Sequence, residues 1–218
     1  GMAALSLSKI DLKDKKNKKN QKNILEEVIT GLKVLKNNST VRSAMLNLVL
    51  LYSLLAALYV LTISLASHIE SLGPTRFGTL LATSGLGMAL GAILIGQTGH
   101  SYDRRKLAAT GLGSITFSLI LLGQLKGSLG PTLILCAALG VGAALVAIPA
   151  QTTLQEDTPE SERGKVFGLQ NNLINISLSL PLIIAGTFVS KYGLIPVLWA
   201  LAVLSLLAAL LEFPWKRC

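Results

Sequence analysis

Charged residues are confined to the gaps between six long uncharged runs. No Asp, Glu, Lys or Arg occurs in Ser43–Ile69, Phe77–Tyr102, Leu107–Leu125, Gly127–Gln155, Val166–Ser190 or Tyr192–Leu211. An α-helix rises about 1.5 Å per residue, so roughly 20 apolar residues cross the hydrocarbon core of a bilayer. Each run is long enough, and a charge at mid-bilayer costs about 3 kcal/mol. The pattern predicts an all-α membrane protein, a six-helix transmembrane bundle over 41–213. Its spans fall at about 41–68, 77–99, 107–125, 130–151, 166–190 and 193–212.

The flanks read differently. Residues 9–22, KIDLKDKKNKKNQK, form a solvated basic segment. Ile24, Leu25, Val28, Leu32 and Leu35 then share one helical stripe, with Glu26, Glu27, Lys33 and Lys36 mostly off it. This predicts an amphipathic helix over 23–37, lying on the membrane face or against the bundle. Residues 1–40 are thus a basic cytoplasmic linker and 214–218 a short tail. Ser39 or Thr40 is expected to cap the first span.

Apolar residues make up 51% of the chain, in keeping with membrane residence. The formal charge of +9 raises nucleic acid as a partner, but its distribution points to a membrane instead. If the spans alternate, 17 of the 20 Lys and Arg fall on one side, leaving Arg76, Lys126 and Lys191 on the other. The positive-inside rule makes the basic side cytoplasmic and puts both termini there. Basic residues beside a bilayer meet anionic lipid first, so the bilayer is the expected partner and no nucleic acid is. Cys136 and Cys218 imply no disulfide framework, and no metal-ligand spacing is present. Neither a metal nor a cofactor is expected. No nucleophile–base pair or phosphate loop suggests an enzyme.

Glycines punctuate the second run at Gly78, Gly85, Gly87, Gly91 and Gly96. Gly87 with Gly91, and Ala138 with Gly142 in the fourth run, have the small-xxx-small spacing that lets helices approach closely. Pro149 is expected to kink or end the fourth span, and Pro181 to bend the fifth. The connections on the sparsely charged side are short.

Two segments carry more specific information. PAQTTLQEDTPESERGKVFG (149–168) spaces Pro149, Gln155, Pro159, Arg163, Gly164 and Gly168 around the loop after the fourth span. Thr158-Pro159 followed by Glu160 and Glu162 is a good helix start, and Arg163 is expected to face Glu156 and Asp157 across the turn. GHSYDRRK (99–106) places Asp103 beside Arg104 and Arg105 after the second span. In the fifth run, Asn171, Asn175 and Ser179 share a face. An Asn facing lipid strands its donors, so the stripe is expected to face protein or a water-filled cavity.

Together these features resemble the C-terminal half of a major facilitator superfamily transporter, nearest in flavour to bacterial drug and siderophore exporters. One departure is local. The family's loop has two more residues between Asp-Arg and the next basic pair, whereas Arg105-Lys106 follow at once here. The resemblance implies two inverted three-helix repeats and a bacterial inner membrane. It also implies a linker-like role for the basic segment. A cavity lined by the first, second, fourth and fifth helices would include Asn47, Tyr52, Tyr59, Asn171 and Asn175. A cytoplasmic gate latch would use Asp103, Arg104, Glu156 and Arg163. For the gate set, the other reading is simple anchoring of helix ends; for the cavity set, it is helix–helix hydrogen bonding.

A weakly polar interior favours a small hydrophobic or amphipathic solute, moved by alternating access and most naturally exported. The uncharged runs hold no carboxylate or Lys, so proton coupling would need an acid in a missing half or else His68 or His100, which sit near the membrane faces. The alternative is a scaffold or accessory subunit that keeps the fold without transport. One half cannot enclose the family's cavity, so a missing N-terminal six-helix half or a second copy is expected as a partner.

Overall fold

Six helices, each long and apolar enough to cross a membrane, make up almost all of the described chain. They are α1 (Ser39–Ser67), α2 (Gly78–Thr98), α3 (Arg104–Leu122), α4 (Leu129–Glu156), α5 (Glu160–Tyr192) and α6 (Leu194–Glu212). The computed structural model describes residues 32–33, 35–67, 69, 76–98, 103–125 and 128–212. Most of the expected amphipathic helix, both histidines, Lys126 and the tail lie outside those residues. Of the expected apolar stripe, Leu35 is buried, packed in a cluster with Val41, Met45, Leu48, Leu154 and Val166, whereas Leu32 is half exposed.

The helix ends follow local chemistry. Asn38, rather than Ser39 or Thr40, caps α1: its Oδ1 accepts from the Thr40 and Val41 amides at 3.0 and 3.2 Å. Asn is among the best residues for this task. Asp103 caps α3 by accepting from the Arg105 amide at 3.0 Å. α5 begins at Glu160, ahead of its uncharged run, because Pro159 presets the entering backbone and Glu160 and Glu162 sit at the positive dipole end. Between α5 and α6 the chain turns at Gly193, φ 84°, a conformation that side chains resist. α4 continues through Pro149 to Glu156, and α5 continues through Pro181. Pro149 therefore does not end its helix.

Packing separates the helices by role. α2 runs along α4, α5 along α1, and α3 along both α4 and α6. The apolar stretch of α2 is 17% buried, that of α5 11% and that of α6 22%, against 44% for α1 and α3 and 50% for α4. α2 and α5 are therefore peripheral, and their packing pairs exchange when α1–α3 is swapped with α4–α6. This is the pattern that a repeat of two three-helix units produces.

The glycines divide the contacts. Gly87 lies against the Ala137 carbonyl and Gly140 against the Ser84 carbonyl, so α2 and α4 meet backbone to backbone. A methyl added at Gly111 would come within 2.6 Å of the Gly142 carbonyl oxygen. Gly142 thus serves α3, and Gly140, outside the Ala138/Gly142 spacing, serves α2. Gly78, Gly85 and Gly96 have open space where a side chain would go. Close approach gains dispersion contact that a larger residue would block.

Candidate functional site

A series of polar contacts joins four helices at the face where α1, α3 and α5 begin. Arg104 pairs with Glu156, and its Nη1 donates to Thr153 Oγ1 at 3.3 Å, tying α3 to α4. Asn38 Nδ2 donates to the Asp157 carbonyl at 3.3 Å, tying α4 to the cap of α1. Ser43 Oγ and Asn47 Nδ2 both donate to Glu212 Oε1, the latter at 3.0 Å, tying α1 to α6. Ser205 Oγ donates to the Leu112 carbonyl at 3.1 Å, deeper in the α6–α3 contact. The contacts surround a polar cavity of about 230 Å³, whose lining includes Ser43, Asn47, Asp103, Arg104, Thr153 and Glu212.

The gate residues expected from sequence are split by this arrangement. Arg104 and Glu156 come together across the α3–α4 junction. Asp103 lines the same cavity but spends its carboxylate on the α3 cap. Arg163 stands apart, with Nη1 3.6 Å from Glu160 and Nε donating to the Thr158 carbonyl at 3.2 Å. It serves the start of its own helix and does not face Glu156 or Asp157, because one turn of spacing puts Glu160 within nearer reach.

The cavity candidates do not converge within this chain. Asn47 is buried and bonded to Glu212. Tyr52 is half-buried beside the Leu35–Val166 cluster. Tyr59 is exposed, meets Phe77 edge-on at 6.2 Å, and lines an apolar cavity of about 230 Å³ bounded by α1, α2, α3, α4 and α6. Asn171 and Asn175 lie exposed on α5, with Ser179 Oγ donating back to the Asn175 carbonyl at 2.9 Å. Gln170 turns the other way and donates to Gln151 Oε1 on α4 at 2.7 Å.

Glu212 is the residue that sequence reasoning missed. It marked only the end of the sixth uncharged run. One signal was available: an acid in the last turn opposes the helix dipole, so such a placement asks for donors from elsewhere. Ser43 and Asn47, one turn apart on α1, are those donors.

The comparisons with known proteins agree with this six-helix plan. The family model described as the Major Facilitator Superfamily matches residues 43–217. The chain belongs to the major facilitator superfamily. It is an integral, multi-pass membrane protein of a family of transporters rather than enzymes. It is 28% identical over 141 residues to an uncharacterized MFS-type transporter of Mycobacterium bovis, and equally to one of Mycobacterium tuberculosis. Each match covers 63% of this chain and 31% of the relative, so the chain spans about a third of the length of these curated superfamily members. No solved structure gives a significant match.

Proposed function

We propose that this chain is one six-helix half of a secondary transporter that moves a small hydrophobic or amphipathic solute, by export, through alternating access. The observation that carries the reading is the polar stripe of α5. Asn171, Asn175 and Ser179 are exposed on a helix with little of its surface covered by the bundle. Left to lipid, each Asn would strand donors at a cost of about 1 kcal/mol or more. A water-filled cavity bounded by a second six-helix body relieves that cost and explains why the cavity candidates do not meet within one half. That body is a separate N-terminal half or a second copy. Tyr59 and the apolar cavity beside α2 supply the hydrophobic part of such a path.

The charged face is cytoplasmic in this reading, in a bacterial inner membrane. Arg104 and Glu156, with Asp103 ordering the helix end between them, form the cytoplasmic latch. Arg163 contributes by fixing the start of α5.

Cysteine labelling tests the stripe. In cells making the protein, a cysteine replacing Asn175 reacts with a membrane-impermeant maleimide, and a hydrophobic cationic dye slows the reaction. A cysteine replacing Leu180, an exposed apolar residue well round the helix from the polar stripe, stays unreactive. Equal inertness at both positions overturns the cavity assignment. Reporter fusions at Lys126 and Cys218 must report opposite sides of the membrane, with Cys218 inside.

A further inference from the structure

We propose that the cleft between α1, α5 and α6 is a phospholipid site, with an acyl chain in the cleft and the lipid phosphate at Lys191. The proposal stands apart from the transport reading. The cleft, about 520 Å³, exceeds either of the 230 Å³ cavities. It exists because α6 packs along α3 while scarcely touching α1. Small side chains at Ala57, Ala185 and Ala200 leave the space between the helices.

Its chemistry selects hydrocarbon. Apart from Ser53 and Tyr192, the lining is apolar, and Ser53 Oγ already donates to the Val49 carbonyl of its own helix at 2.8 Å. Water needs several polar partners in such a space and finds almost none. Ile184, Phe188 and Leu204 line the cleft while being about half exposed, so it opens sideways towards the bilayer.

Its length selects a lipid chain. From Pro181 in mid-helix to Tyr192 at the end of α5, the wall rises about 16 Å at the helical spacing. That is the depth of one leaflet, about half of a 30 Å hydrocarbon core. The upper end carries the groups that favour a headgroup. Phe188 and Tyr192 pack with ring centroids 5.5 Å apart, and Lys191 Nζ lies 5.4 Å from the Tyr192 ring centre. An aromatic at the interface beside a lysine matches a phosphate above an acyl chain.

Photo-cross-linking tests this in vesicles containing equal parts of phosphatidylcholine and phosphatidylglycerol. In separate samples, one lipid or the other carries a mid-chain diazirine. Adducts should concentrate on Ile184, Phe188 and Leu204, and Ala200→Trp should remove them by filling the cleft. Lys191→Gln, a change at an exposed position, should lower the phosphatidylglycerol yield about fivefold, the weight of one lysine beside an anionic headgroup, and leave phosphatidylcholine little changed. Adducts spread evenly over the exposed faces of α2, α5 and α6 overturn the proposal. Cross-links from a diazirine amino acid at Leu204 to a second copy or another polypeptide, in place of lipid, also overturn it. An unchanged phosphatidylglycerol yield in Lys191→Gln overturns the headgroup assignment.

Discussion

The α3–α4 and α1–α6 contacts occupy equivalent places if the three-helix units are exchanged, yet they are built in opposite ways. α3 and α4 meet along their length, with Gly111 and Gly142 each under the other's carbonyl and Ser114 Oγ donating to the Ala138 carbonyl at 3.2 Å. α1 and α6 scarcely touch. Glu212 bridges them at the charged face, and a 520 Å³ cleft separates them towards the other. A glycine contact is continuous and has no reason to open. A contact made by one carboxylate at one end can pivot, because breaking it exposes little apolar surface. The comparison teaches that the three-helix repeat fixes which helices are neighbours, while side-chain size fixes how closely they meet.

The largest expected effect is at the closed junction. Gly142→Leu places a branched side chain where even a methyl would lie 2.7 Å from the Gly111 carbonyl oxygen. Over-packing of this kind costs about 3 kcal/mol, and backbone cannot yield as a flexible side chain does. The expected outcome is a lowered thermal unfolding midpoint in detergent and a weakened α3–α4 contact. Gly113→Leu is the control, since Gly113 has open space and should be tolerated. Equal losses in both variants would remove the distinction between the two kinds of glycine.

At the open junction the effect should be intermediate and local. Glu212→Ala leaves Ser43 and Asn47 without their shared acceptor, at a cost of about 1–2 kcal/mol. Spin labels at Leu46 and Leu211, both exposed, should report a longer and broader α1–α6 distance while α3–α4 distances stay fixed. Ser43→Ala should give a smaller shift in the same direction, and the double variant less than the sum, because the two share one bond. A uniform loosening of all helix pairs would mean that Glu212 supports the whole bundle instead of one hinge.

The fold was largely legible because membrane insertion writes it in coarse letters. A run without charges long enough to span needs no knowledge of its neighbours, and all six runs fall on helices. The family resemblance rested on loops around Asp103 and Pro159, and the family match over 43–217 agrees. The side-chain partners were less legible. Arg163 takes Glu160, its own neighbour one turn away, and not the acids of the preceding helix. Asn38, not Ser39 or Thr40, caps α1 because the helix already begins at Ser39, and Asn38 Nδ2 also reaches Asp157. Glu212 depends on donors far back in the chain, and no local pattern announces a contact of that separation.

The latch pair itself should have only a small effect, and the comparison says why. Arg104 and Glu156 are 42% and 58% exposed in their side chains. Solvent screens such a pair, so Arg104→Ala should change stability by no more than about 0.5–1 kcal/mol, less at high salt. The glycine contact beneath keeps α3 on α4 with or without the ion pair. Asp103→Ala should cost about 1 kcal/mol, because it removes the cap of α3 as well as a charge. The order expected in thermal unfolding is therefore Asp103→Ala above Arg104→Ala, with Arg163→Ala smaller still, since its ion pair is confined to one helix turn. Transport by the complete protein should reverse part of that order. Arg104→Ala should alter the rate although it hardly alters the fold, whereas Arg163→Ala should leave the rate nearly unchanged. Equal transport in wild type and Arg104→Ala would reduce the Arg104–Glu156 pair to a helix-end anchor, and the α1–α6 hinge would then be the mobile element left at this face.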